Sequence, residues 1–278
     1  MKKISLNSVE ESISEDYESI LLDSKIDFET KVERQPKALV YGKKVFGSYG
    51  DFSCIVGSSK SMKTVLKNAI IAAYKGGNST NHFPELAGVN SGDKWILDLD
   101  TEQSPFHVKR NTNMIRRMVG NRFDNYAAFN LRKYSVQQRL GFLKWVLLES
   151  EYAGKVGLCC LDGAADLVNS VNDEVASYEL AQTFMELTAE AGCHLITVLH
   201  KNSQGGKPTG HLGSAILKKA ETVAFLKRGD DNYIKVEPKY TRNEPFPEFE
   251  FMLSGKALPY LRGEEPEDEQ EEDDDLPF

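Results

Sequence analysis

The chain of 278 residues is long enough for one large domain with appendages, and its 40% apolar content is ordinary for a globular core. No apolar run approaches the ~20 residues that span a bilayer, and the opening MKKISLNSVEESISEDYESI has no apolar segment behind its lysines, so neither a membrane span nor a secretory leader is expected. The net charge of −8 conceals a division: residues 264–275 hold ten carboxylates and no base, and residues 1–34 hold nine acids against five bases, which leaves a body of about +6 suited to an anionic ligand.

Residues 1–37 are polar with short helix-like patches such as VEESISEDYESILL, and read as an N-terminal arm. From residue 51 short apolar runs alternate with amphipathic stretches. Strands are expected at FSCIVG (52–57), KWILDLD (94–100), NYAAFNL (125–131), KVGLCCLD (155–162) and CHLITVLH (193–200), with helices near 63–76, 104–119, 136–152 and 174–191. Continuous apolar strands separated by helices indicate an α/β fold with a mostly parallel sheet flanked by helices. Three later runs, TVAFLKR (222–228), NYIKVEP (232–238) and FEFML (249–253), are joined by tight turns and read as an antiparallel C-terminal extension. The folded body thus spans 38–262, and 263–278 is an acidic tail too poor in apolar residues to fold. Cys54, Cys159, Cys160 and Cys193 sit in apolar runs without C-x-x-C spacing and are expected to be reduced core residues.

Four places carry chemistry. The first is GSSKSMKT: Gly57, Ser58, Ser59, Lys60, Ser61, Met62, Lys63 and Thr64 follow a strand and open a helix, the setting of a phosphate-binding loop. A helix N-terminus offers free N–H groups to phosphates, Lys63 reaches the terminal ones, and the Thr64 hydroxyl can ligate Mg²⁺. Met62 departs from the pattern, which has a second glycine there; the same residues also fit a plain strand-to-helix turn. Glu102, just past the second strand, can orient water or can simply sit in a helix's first turn. Asp162 ends a fully apolar run, where an acid holds Mg²⁺ through its water shell. His200 and Lys201 end the next strand, and the glycine-rich stretch 203–214 with Lys207 and His211 is a candidate to touch a nucleic-acid backbone or an ordinary long loop. His82, His107 and His194 are given no role.

In this order and spacing the motifs resemble the RecA-like P-loop ATPase core of replicative helicases and recombinases, nearest the RepA- and DnaB-type hexameric group of phages and mobile elements, over residues 38–255. The resemblance implies that Gly57–Thr64 with Asp162 binds ATP and Mg²⁺, that Glu102 is the catalytic glutamate, and that His200 is the polar sensor of the γ-phosphate. It further implies that loops near 163–174 and 202–213, with Lys201, Lys207 and His211, bind single-stranded DNA. EPKYTRNEPF is similar to the segment that supplies a lysine and an arginine finger to the neighbouring subunit; Lys239 and Arg242 match, with one extra residue between them, and ATP would then lie between subunits of a ring or filament.

The tip DDDLPF resembles that of bacterial single-stranded-DNA-binding proteins, which implies docking of replication or repair proteins through Asp275, Leu276, Pro277 and Phe278. The expected function is an ATP-dependent single-stranded-DNA motor, a ring-forming replicative DNA helicase of a phage or mobile element, in the cytoplasm. A recombinase or recombination mediator, and an ATP-switched binding module, are the alternatives.

Overall fold

A computed structural model describes residues 17–89, 92–201 and 209–264, and the chain divides into two units, Met1–Arg34 and Gln35–Phe278. In the first unit residues 17–24 are helical, and Leu21, Leu22, Ile26 and Phe28 are exposed.

The second unit carries two sheets. A small antiparallel one, order β2-β1-β4, joins β1 (Lys37–Tyr41), β2 (Lys44–Ser48) and β4 (Leu86–Gly88). The large one also contains β3 (Phe52–Gly57), β5 (Trp95–Asp100), β6 (Tyr126–Asn130), β7 (Val156–Asp162), β8 (His194–His200), β9 (Thr222–Arg228), β10 (Ile234–Thr241), β11 (Phe249–Leu253) and β12 (Pro259–Leu261), in the order β12-β11-β10-β9-β3-β8-β7-β5-β6. β9, β3, β8, β7, β5 and β6 run parallel; β10, β11 and β12 are antiparallel. The expected antiparallel extension therefore starts one strand later: residues 222–228 pair parallel with β3, because a helical crossover precedes them.

That crossover corrects a second expectation. The glycine-rich stretch 203–214 is not one loop: α5 (Gly210–Lys219) begins inside it, with Leu212, Ala215 and Ile216 buried at helical spacing. The other helices are α1 (Lys63–Lys75), α2 (Pro105–Val119), α3 (Val136–Leu148) and α4 (Glu174–Ala191).

The helices divide between the two faces of the large sheet. Leu66 and Ile70 of α1 and Ile115 and Met118 of α2 join one core with Ile96, Cys160 and Ile196. Leu143 and Val146 of α3, Leu180 and Phe184 of α4, and Leu212 and Ile216 of α5 join the other, with Leu97, Leu161 and Leu195. Strand side chains alternate between faces. Ile96 faces α1, so Asp98 and Asp100 do too; Cys160 and Ile196 likewise bring Asp162 and His200 to that side. All four cysteines are buried and unpaired, and burial alone pushes the Cys54 thiol far above its usual range.

Candidate functional site

The carboxyl ends of the parallel strands form one edge of the sheet. β3 and β5 send the chain from this edge to the α1 and α2 face, whereas β7 and β8 send it to the α4 and α5 face, and β3 and β8 are neighbours with Gly57 opposite His200. Adjacent strands whose connections leave in opposite directions open a crevice, the place where α/β sheets receive ligands.

The segment Gly57–Thr64 turns into this crevice. Lys60 and Met62 both hold φ of 61°, the left-handed region that glycine adopts freely and other residues rarely do. The Met62 side chain packs, partly buried, against the core on the α1 face. A Cβ at Gly57 would collide with the Ser61 hydroxyl, so any larger residue there displaces Ser61 within the loop. Met62 is the N-cap of α1, no side chain caps that helix, and no acidic residue occupies its first turn. An uncapped N-terminus leaves N–H donors and a positive dipole end for an anion. Ser61 Oγ, buried in the loop, has no hydrogen-bond partner among the described residues.

Lys63 is buried and folds back on the loop: its Nζ donates to Gly57 O at 3.1 Å and Ser58 O at 2.8 Å and lies 3.3 Å from His200 Nδ1. An ammonium only donates, so the Nδ1 facing it is the acceptor and the neutral His200 carries its proton on Nε2. That Nε2 is 3.7 Å from Glu102 Oε2. His200 thus stands between the loop lysine and the glutamate. Burial lowers the Lys63 pKa, against the pull of Asp162 and Glu102.

On the other side Thr64 Oγ1 donates to Asp162 Oδ2 at 2.8 Å. A hydroxyl and a carboxylate in contact at a strand end suit Mg²⁺, which takes few protein ligands and keeps waters and phosphate oxygens. Among the described residues no group of three or more His, Cys, Asp or Glu side chains is arranged to hold a metal.

Three features here carry no sequence signal beyond the alternation of Asp98 and Asp100 with apolar residues. Asp100, opposite Asp162, accepts from the N–H groups of Glu102 (3.0 Å) and Gln103 (2.7 Å), which fixes the turn that presents Glu102. Burial raises the Asp100 pKa to about 6, and its Oδ2 is buried without a partner among the described residues. Thr101 staples the two acid-bearing strand ends: its N–H donates to Asp162 O at 2.8 Å and its hydroxyl accepts from Gly163 N at 2.9 Å. Behind them Lys67, one turn after Lys63, makes a buried ion pair with Asp98 at 2.6 Å, and the Tyr126 hydroxyl donates to Asp98 Oδ2 at 3.1 Å. Burial works against the Lys67 charge, and the carboxylates of Asp98 and Asp162 together with the Asp98 hydrogen bond more than offset it, so the ammonium stays charged. The alternation WILDLD is the one cue, since it aims both aspartates at α1.

Gly57, Lys63, Thr64, Glu102, Asp162 and His200 are therefore brought together, and Lys201, whose N–H donates to Gly57 O at 2.9 Å, lies beside them. His211 is exposed in the first turn of α5, on a helix and not in a loop. Lys239 and Arg242 are not brought to this edge. β10 is antiparallel to β9, and Thr241 pairs with Thr222 at the amino end of the parallel strands. Arg242 there bonds Asp51 at 3.1 Å and the Lys219 carbonyl. Lys207 and Asp275, Leu276, Pro277 and Phe278 lie outside the described residues.

No protein-family model matches the chain, and no curated protein matches it.

Proposed function

We propose that the chain is a RecA-like, Mg²⁺-dependent ATPase acting on single-stranded DNA, a ring-forming replicative helicase motor of a phage or mobile element. The observation that carries this reading is the meeting of Lys63 and Thr64, from the start of α1, with Glu102, Asp162 and His200, from three different strand ends, in one crevice.

The residues fit the nucleotide. The uncapped start of α1 and the unpartnered Ser61 hydroxyl are donors awaiting acceptors, and Lys63 can exchange two loop carbonyls for phosphate oxygens. Bound Mg²⁺ would supply charge neutralisation across the phosphates, with Thr64 and Asp162 as its protein contacts. Glu102 orients the attacking water and accepts its proton; Asp100 holds Glu102 in register; His200 links the glutamate to the lysine and so reports whether the lysine has moved to phosphate. Arg242, at the opposite end of its own sheet, reaches a nucleotide only in a neighbouring subunit, which fits a finger supplied in trans within a ring.

The test is ATP turnover with Mg²⁺, with and without single-stranded DNA, in the wild type and in Lys63→Ala and Glu102→Gln. Turnover that rises with DNA and drops at least 100-fold in both variants, on the scale of a lost catalytic base, is the expected result. Turnover unaffected by either substitution would remove the assignment.

A further inference from the structure

The crevice does not account for the most segregated charge in the folded body. Residues 103–148 contain nine lysines and arginines and one acid, Asp124, in a chain whose net charge is −8. The segment comprises α2, β6, α3 and their connections, and β6 is the last strand of the large sheet. α2 lies on one face and α3 on the other, so the positive charge wraps around the β6 edge. Lys109, Arg110, Arg132, Lys133 and Lys144 are exposed, and none is in a salt bridge among the described residues.

The same segment carries exposed rings. Among the described residues of the second unit, five large apolar side chains stand in water: Phe106, Tyr134, Trp145, Val175 and Tyr240. The three in this segment are all aromatic, and each is next to, or within three residues of, one of those bases. Lys133 Nζ lies 5.2 Å from the Tyr134 ring.

The platform beneath is fixed. Asn130 Nδ2 donates to Gln103 O at 2.8 Å and Leu131 N to Asp100 O at 2.7 Å, which binds the start of the Tyr134 loop to the turn that leads into Phe106. Arg139 is spent inside the structure, donating to the Leu131 and Arg132 carbonyls. Arg132 and Lys133 follow directly on the Leu131 tie, and Phe106 follows directly on the turn bearing Glu102.

From this we infer that the β6 edge, from Phe106 and Lys109 across Lys133 and Tyr134, is a single-stranded nucleic-acid binding surface separate from the ends of β7 and β8. Unpaired cations track a phosphate backbone, and exposed rings between them stack bases without regard to sequence. Charge alone would equally attract an acidic polypeptide, including residues 264–275 of this chain, but such a segment has no planar bases to occupy the Phe106 and Tyr134 rings. The inference rests on the reading above as a DNA-acting protein, and deepens it by naming a second track for the strand.

The experiment is nucleotide-free fluorescence anisotropy of a labelled thymidine 20-mer with the full chain over a salt series. Three proteins are compared: wild type, Lys109→Gln/Arg110→Gln/Lys133→Gln, and Phe106→Ala/Tyr134→Ala. All five positions are exposed, and circular dichroism checks the fold. The charge variant should bind at least tenfold more weakly, with the slope of log affinity on log salt smaller by about 2, as expected for three lost phosphate contacts at ~0.7 each. The aromatic variant should bind at least tenfold more weakly with its slope unchanged. Wild-type affinity and slope in both variants would overturn the proposal. So would variants that bind the 20-mer normally but lose a synthetic peptide of residues 264–278. A wild type without ATP turnover but with patch-dependent binding would refute the motor reading and leave this surface standing.

Discussion

Met62 is where the structure makes its sharpest energetic statement. Its φ of 61° and ψ of 29° place a long side chain in the left-handed region, at a cost of roughly 1–2 kcal/mol that glycine does not bear. Glycine brings its own cost of about 0.5–1 kcal/mol in unfolded-chain entropy. Met62 also packs partly buried against the α1-face core, and losing that contact costs about 1 kcal/mol, less than the roughly 1.5–3 of a fully buried side chain. Met62→Gly should therefore be destabilised by no more than about 1 kcal/mol. Met62→Ala loses the same packing but keeps the left-handed strain, so it should be less stable than Met62→Gly by about 0.5–1 kcal/mol. At Val65, inside α1, the order should reverse, with glycine below alanine by about 1 kcal/mol. Urea unfolding of the four nucleotide-free variants reads both differences. Met62→Ala equal to or more stable than Met62→Gly would refute the claim that Met62 occupies a glycine's conformation under strain.

Breaking the buried pair with Lys67→Met should cost about 3–5 kcal/mol, because Asp98 is left charged in the core, and adding Asp98→Leu should recover most of it; a single variant as stable as wild type in urea would deny the pair. His194 is buried with Nδ1 2.8 Å from the Ser48 carbonyl, and burial lowers its pKa to about 4. Between about pH 6.5 and 4 the unfolded chain then binds the extra proton at this site, so the contribution of His194 to stability should fall by about 3 kcal/mol as pH drops through that window, opposed below about pH 6 by Asp100, whose raised pKa acts the other way. His194→Gln, whatever its stability at pH 8, should lack this slope, and parallel curves for the two proteins would contradict it. Arg242→Ala subunits and Lys63→Ala subunits, each nearly inactive, should regain turnover when mixed, at interfaces where an intact Lys63 faces an intact Arg242. Steady-state hydrolysis that stays flat across mixing ratios would rule out action in trans.

Much of the site was legible because a buried parallel strand announces itself as an apolar run, and a polar residue ending such a run has little reason to be there except at the ligand edge. This located Gly57, Asp162 and His200. α5 was hidden by its start at Gly210, where φ is 68°, although Leu212, Ala215 and Ile216 keep helical spacing. β1, β2 and β4 are three to five residues long and pair only with each other, so no periodicity could build up. Lys67 and Asp98 look like surface residues until α1 packs over β5, because a buried ion pair is a property of two elements and not of either sequence. The positive segment 103–148 could be counted from the sequence, but only the sheet order reveals that it forms one edge.

The claim on which the rest depends is that the start of α1 and the ends of β7 and β8 form a Mg²⁺-nucleotide site. Calorimetric titration with a non-hydrolysable ATP analogue tests it directly, with Mg²⁺ or EDTA, for wild type and Lys63→Ala. The account predicts binding by wild type in Mg²⁺, weakened at least tenfold by EDTA and by Lys63→Ala, the scale of a lost hydrogen bond to a charged group. No heat of binding in wild type, or equal affinity in the variant, would contradict it.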